Sequence, residues 1–258
     1  MINGFSAPGC TALVTGANQG IGRGFVEALL ERGCARVYAT ARRSDTLDGL
    51  AALDRARVIP LELDVVNDAQ RQAAAKVASD VTLLINNAGI PGSDEPRERR
   101  FLSATTLADA RLVMEVDFFA QAEMCRAFAP TLVANRPAAI VNILSIGALF
   151  CLPEYSTYCA AKSAAAIMTK GVRAELARSG VFVAGVFTGG VDTRMAAKNV
   201  YEKMSPIDHA RQVLDAVAAG VEDIFAGTGA ERIRDAVKSD EKAFERSYIE
   251  RFHTAPIN

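Results

Sequence analysis

Tyr158 and Lys162 stand four residues apart in Tyr158-Cys-Ala-Ala-Lys162, and Ser145 lies thirteen positions upstream of the tyrosine at the end of an apolar run. The Ala-rich stretch after Ser156 favours a helix, on which side chains at i and i+4 share one face. Phenol and ammonium are then expected to meet. A free phenol titrates at about 10, and a neighbouring cation lowers that value, with each unit corresponding to roughly 1.4 kcal/mol. A nearby hydroxyl such as Ser145 could hold a carbonyl oxygen while Tyr158 exchanges its proton. Surface helices carry Tyr-Lys pairs by chance, so the trio gains meaning from the elements that position it.

Residues 12 to 22 read as a short apolar strand, a turn containing Gly16, Gly20 and Gly22, and the start of a helix running from about Ile21 to Arg32. The glycines allow close backbone approach, and the N–H groups and dipole of the helix start then face an anionic pyrophosphate. The spacing G-x-x-x-G-x-G differs from the G-x-G-x-x-G dinucleotide fingerprint, and a plain glycine loop is the alternative. A second strand, Arg36 to Ala41, ends in Ala41-Arg42-Arg43. An acidic residue there suits the free 2′-hydroxyl of NAD, whereas Arg suits a 2′-phosphate. NADP is therefore favoured over NAD, with Arg42 as the fork and Arg43 as support; two solvated arginines at a strand end are the alternative.

Six features occur in order: Thr15-Gly-Ala-Asn-Gln-Gly-Ile-Gly22, Asp64-Val65, Asn86-Asn-Ala-Gly89, Ser145, Tyr158 to Lys162, and Gly190-Val-Asp-Thr193. Together they make the chain resemble the short-chain dehydrogenase/reductase (SDR) family over roughly residues 10 to 226. The resemblance implies that Gly16, Asn18, Gln19, Gly20, Ile21 and Gly22 hold the cofactor's phosphates. It implies that Asp64 and Val65 border the adenine and that Asn86, Asn87, Ala88 and Gly89 support sheet and cofactor. Gly189, Val191 and Thr193 would lie at the nicotinamide. Tyr158 is implied as acid/base, Lys162 as ribose ligand and modifier of the phenol, and Ser145 as carbonyl positioner. The expected activity is hydride transfer between NADP(H) and a ketone or secondary alcohol. A catalytically weak or inactive nucleotide-binding regulatory protein is the alternative.

Two departures from the family pattern bear on activity. Asp117 stands where the family usually has an Asn that helps hold a relay water behind the lysine, and Ala120 replaces a Gly in the same run, Val116-Asp-Phe-Phe-Ala120. An ionised Asp accepts hydrogen bonds without donating, and its charge favours the Lys162 ammonium. Retained activity is expected, because Ser145, Tyr158 and Lys162 are all present. Thr188-Gly189-Gly190 replaces the usual Pro-Gly, so the loop under the nicotinamide is expected to gain freedom and bind cofactor less tightly. Thr188 is read either as a hydroxyl for nicotinamide or substrate, or as a solvated loop residue.

The positioning elements follow from periodicity. Strand-like runs near 11–15, 36–41, 57–62, 81–86, 138–144, 181–187 and 222–226 alternate with helix-like stretches near 20–32, 67–79, 105–134, 155–178 and 207–219, and a weaker one near 45–54. That alternation predicts an α/β single-domain Rossmann fold, a doubly wound parallel sheet of about seven strands. Pro130 is expected to kink or end its helix. Residues 90–104 read as a polar loop, 194–206 as a substrate lid, and 231–251 as one charged helix with an apolar stripe. Ile90, Ile146, Leu149, Phe150, Tyr155, Phe187 and Met195 suggest a mostly apolar or aromatic substrate pocket.

The 258 residues carry a net charge of −1, which gives no electrostatic case for nucleic acid or a membrane surface. No apolar run reaches the roughly 18 residues needed to cross a bilayer, and no signal peptide is visible, so cytoplasm is expected. Five cysteines without metal spacing suggest free thiols, with Cys151 and Cys159 as small buried residues near the site. His209 and His253, far apart and far from every motif, are expected at the surface, and no metal site is expected. A homodimer or homotetramer through the helices near 105–134 and 155–178 is what the resemblance implies.

Overall fold

Runs of Val, Ile, Leu and Ala form seven strands: β1 (Thr11–Val14), β2 (Arg36–Ala41), β3 (Val58–Glu62), β4 (Leu83–Asn86), β5 (Ala138–Ser145), β6 (Val181–Thr188) and β7 (Asp223–Ala226). The computed structural model describes residues 4–197 and 200–251. All strand pairs are parallel, in the order β3-β2-β1-β4-β5-β6-β7. The strand order reverses between β1 and β4, which places a crevice at their carboxyl ends.

Helices cover both faces because both are apolar. On one face Val14, Val37, Ile85, Val141 and Val186 meet Phe25 and Leu29 of α1 (Gly20–Glu31), and this cluster extends to Val213 and Leu214. On the other, Leu13, Leu84, Ile140 and Val183 cluster with Met124, Phe128 and Leu132. Burying a side chain such as Phe25 or Phe128 contributes about 2–3 kcal/mol. The remaining helices are α2 (Asp48–Ala51), α3 (Asp68–Val77), α4 (Ala108–Met114), α5 (Ala120–Ala134), α6 (Ser156–Leu176), α7 (Pro206–Ala218), α8 (Ala230–Ser239) and α9 (Glu241–Arg251). No described helix is long and apolar enough to cross a membrane.

Several local expectations need correction. The stretch near 105–134 is two α-helices joined by a π-helical turn over Glu115–Phe119, a widening that turns Asp117 into the protein. Pro130 neither ends nor interrupts α5; it is exposed, so the carbonyl it leaves unpaired can bond to water. The charged tail is two helices rather than one. Asp240 is extended between them, and its carboxylate accepts the Ala243 N–H at 2.8 Å, starting α9 as an N-cap does. His209 is fully buried rather than at the surface, and His253 lies outside the described residues. Cys151 is exposed, whereas Cys10, Cys34, Cys125 and Cys159 are buried.

Helices α1 and α7 cross at Gly24, where an added Cβ would overlap the carbonyl group of Pro206. Gly24→Ala should therefore force the helices apart and cost about 1–3 kcal/mol, read as a lower urea midpoint at unchanged slope. An unchanged midpoint would mean that the crossing adjusts freely.

Candidate active site

The glycine turn takes its shape from backbone conformations that favour glycine. Gly16 has φ 64° and Gly20 φ 54°, both in the left-handed region. Gly22 has ordinary φ, but a Cβ there would overlap the Gly16 carbonyl oxygen and crowd the Asn87 amide. Gln19, the residue before α1, is extended and makes no side-chain cap, and the first turn holds no acidic residue. The first N–H groups of α1 are thus left for an anion, which fits a dinucleotide pyrophosphate.

Thr15 ties this turn to the end of β4, a role the sequence alone did not reveal. Its hydroxyl accepts the N–H groups of Asn87 and Ala88 at 2.8 and 2.9 Å, while the Asn87 amide donates to the carbonyls of Thr15 and Gly16 at 2.9 and 3.2 Å. Asn86 faces the other way, donating to Asn142 at 2.9 Å, and Asn142 donates to Thr169 at 3.0 Å. Asn142 was legible as a polar residue inside an apolar strand, whereas Arg71 carried no signal. Buried Arg71 donates to the Val65 carbonyl at 2.7 Å and holds the Asp64-Val65 bend, where the Asp64 carboxylate also accepts the Val66 N–H at 3.2 Å.

At the end of β2, Ala41 is buried and Arg42 is exposed, with no hydrogen bond or ion pair among the described residues. Arg43 is occupied by Asp45 at 2.5 Å, so it does not stand beside Arg42 as a second open guanidinium.

Ser145, Tyr158, Lys162 and Asp117 do converge. Tyr158 and Lys162 lie on α6, and Tyr158 and Ser145, at the end of β5, both border Gly147, whose added Cβ would lie 3.4 Å from Ser145 Oγ and 4.0 Å from the Tyr158 ring. The Ser145 hydroxyl accepts the Gly147 N–H at 3.0 Å. The ammonium meets the Tyr158 ring as the i, i+4 spacing predicts, but it does not lower the phenol. Lys162 Nζ sits 5.6 Å from the Tyr158 ring centre, donates to the Ile143 carbonyl at 3.2 Å and lies 3.8 Å from Asp117 Oδ2. Burial, followed by the charge of Asp117, pushes the Tyr158 phenol up rather than down, against the opposing influence of the Ser145 hydroxyl.

Asp117 is buried, and its Oδ1 accepts the Ile90 N–H at 2.8 Å. Burial raises its carboxyl to about 6, opposed by the Lys162 ammonium and the Ile90 N–H. Gly89 leaves room for the pair: a Cβ there would come within 3.0 Å of Asp117 Oδ1 and 3.4 Å of Lys162 Nζ.

The loop after β6 is not loose. Gly189 and Gly190 donate to the carbonyls of Ala226 and Thr228 at 2.8 and 2.9 Å, and Gly190 accepts from Thr228 and Met204 at 3.1 Å each. Val191 bridges to Met204, and Thr193 packs against Gly20, bringing this loop to the glycine turn. Thr188 is half-buried, with its hydroxyl 3.3 Å from His209 Nε2, rather than solvated.

The expected pocket residues do not all serve as pocket. Phe187 is core: it stacks on Phe225 at 4.8 Å and clusters with Leu144, Ala165 and Ala166. Phe150 packs against Phe244 and Tyr248 of α9, with ring centres 4.9 and 4.8 Å away. Tyr155 lies under the Arg99 guanidinium at 4.5 Å. Ile146 is half-buried and Met195 is exposed. The 90–104 segment is tied to the start of α6, since the Arg99 carbonyl accepts the hydroxyls of Ser156 and Thr157 at 3.3 and 3.1 Å. Of the expected lid, Arg194–Ala196 forms a short 3-10 turn and Lys203 pairs with Asp192 at 3.4 Å, while residues 198 and 199 lie outside the described set. No group of acidic, His and Cys side chains suited to a metal occurs among the described residues.

Replacing Thr15 with Val removes the acceptor shared by two loop N–H groups, so Thr15→Val should cost about 1–3 kcal/mol in chemical denaturation. Wild-type stability in that variant would show that water replaces the hydroxyl at no cost.

Comparison with known proteins agrees with this geometry. The model of the short chain dehydrogenase family matches residues 10–204. A short-chain dehydrogenase of Penicillium crustosum is 34% identical over 199 residues, covering 73% of this chain and 68% of that protein. The crystal structure of a short chain dehydrogenase from Burkholderia cenocepacia in complex with NADP is 39% identical, with a TM-score of 0.87 over 95% of this chain and 99% of the other. A short chain dehydrogenase/reductase from Burkholderia phymatum in complex with NAD is 26% identical, with a TM-score of 0.80 over 98% and 99% of the two chains. With the sheet order, the glycine turn and the Ser145, Tyr158 and Lys162 constellation already in place, the chain belongs to the short-chain dehydrogenase/reductase family of oxidoreductases.

Proposed function

We propose that this oxidoreductase interconverts a ketone and a secondary alcohol with NADP(H). The observation that carries the reading is the convergence of Ser145 and Tyr158 about Gly147, with the buried Lys162 ammonium over the Tyr158 ring. When bound, the dinucleotide supplies or accepts the hydride. The first turn of α1 receives its pyrophosphate, the Asp64-Val65 bend borders its adenine, and Lys162 holds its ribose from the floor of the site. Ser145 donates to the substrate oxygen, and Tyr158 gives that oxygen a proton in reduction or removes it in oxidation. Asp117 and the Ile143 carbonyl keep the ammonium of Lys162 in place.

NADP rather than NAD is favoured by Arg42, which has no carboxylate partner, at a strand end that offers no acid to receive a 2′-hydroxyl. The substrate is of medium size and apolar or aromatic, a reading supported by Ile146 and Tyr155, which adjoin Ser145 and the start of α6, and by the exposed Met195 on the turn after β6. Self-association through α4 to α6 is favoured by exposed apolar side chains there, Leu112, Phe119 and Ile167. A second reading, a weakly active or inactive nucleotide binder, is favoured by the upward push of Asp117 on Tyr158.

Titration with NADPH and NADH, followed by absorbance at 340 nm over a panel of ketones, separates the two readings. Ketone-dependent NADPH oxidation that Tyr158→Phe abolishes while NADPH still binds supports the reductase; binding without turnover on any ketone supports the nucleotide binder. Arg42→Ala should weaken NADPH about tenfold and leave NADH unchanged, as expected for loss of a charge-assisted phosphate contact. Equal loss for both cofactors would remove Arg42 from 2′-phosphate recognition.

A further inference from the structure

The interior of the protein holds a histidine that the proposed chemistry does not use. His209, on α7, is fully buried, and burial lowers it to about 4, so the ring is neutral at neutral pH. Its ring meets Phe25 of α1 edge-on at 6.2 Å, its Nε2 lies 3.3 Å from the Thr188 hydroxyl, and its Nδ1 has no hydrogen-bond partner among the described residues. Histidine at this depth is costly unless its one bond matters, and that bond goes to the last residue of β6.

Thr188 pairs in register with Ser145 across the parallel β5 and β6 ladder. Residues in register on neighbouring strands point to the same face, so the two hydroxyls stand side by side at the carboxyl edge of the sheet. With nothing bonded to Nδ1, the tautomer that satisfies the ring best carries its proton on Nε2 and donates to Thr188 Oγ1. The Thr188 hydroxyl has then used a lone pair and keeps its own proton to donate elsewhere. The backbone beyond it is fixed by the bonds of Gly189 and Gly190 to Ala226 and Thr228.

We infer that Thr188 is a binding residue for the nicotinamide end of the dinucleotide, donating its hydroxyl proton there, and that His209 is the positioning residue that aims it. This inference rests on the oxidoreductase reading. In this chain a hydrogen-bonded side chain takes over the fixing role of a proline at the strand end, and adds a donor that a proline lacks.

The test compares two ligands on the intact protein by calorimetry: NADPH, and 2′-phospho-ADP-ribose, which lacks the nicotinamide. Thr188→Val should weaken NADPH about fivefold, the loss of one neutral hydrogen bond, and leave the fragment unchanged. Thr188→Ser, which keeps the hydroxyl, should bind both ligands as wild type does. His209→Phe, which keeps a planar ring but no nitrogen, should reproduce the selective loss of NADPH. Equal weakening of both ligands in Thr188→Val would mark a merely structural role and overturn the inference, as would unchanged NADPH binding. If wild-type protein bound neither ligand, the NADP reading would fail; the inference would then require the same selective loss for NADH against ADP-ribose, and equal or no loss there would overturn it.

Discussion

Two opposite charges buried together, the Lys162 ammonium and the Asp117 carboxylate, constrain the whole site. Each compensates the other, because removing one partner leaves its counterpart as an unpaired buried charge at a cost in stability. The pair requires a π-helical turn to carry Asp117 inward, a Gly at position 89 to leave it room, and the Ile143 carbonyl to take a proton of the ammonium. Through Ile90 it also fixes the segment leaving β4, which Thr15 holds from the other side. The glycine turn, the end of β4 and the start of α6 are thereby bound into one frame.

This frame alters the simple view of a tyrosine activated by a lysine. The ammonium is compensated by a carboxylate 3.8 Å away, and that carboxylate raises the phenol. A carboxyl raised to about 6 loses its proton as pH rises through that value. Around neutrality its charge is largely present, so the phenol proton is held most firmly under ordinary conditions. Where the Asn usual in this family would leave Lys162 uncompensated, Asp117 trades acidity of Tyr158 for firm placement of the lysine.

The fold was legible because its signals are local. Apolar runs such as Leu83 to Ile85 and the alanines around Tyr158 specify strand and helix wherever they occur, and the glycine turn requires glycine through its own backbone angles. The helix break at Asp240 is also local and could have been read from the capping preference of Asp. The departures arose from contacts between distant residues. The direction of Lys162 depends on Ile143 and Asp117, the place of Phe187 on Phe225, and the burial of His209 on Phe25 and Thr188. No spacing within the sequence encodes those meetings. The looseness expected of the Thr188-Gly-Gly segment failed for the same reason, since the strands that bind it come from elsewhere in the chain.

If the Asp117 carboxylate raises the proton affinity of Tyr158, the pH dependence of kcat/KM for alcohol oxidation must differ between wild type and Asp117→Asn. Oxidation needs the phenolate, so the rising, acid-side limb of its pH profile follows the phenol. Removing a negative charge that raises the phenol, while leaving the ammonium uncompensated, acts in one direction. The limb should move down by about one pH unit in Asp117→Asn. A limb that stayed in place or moved up would contradict that effect of Asp117.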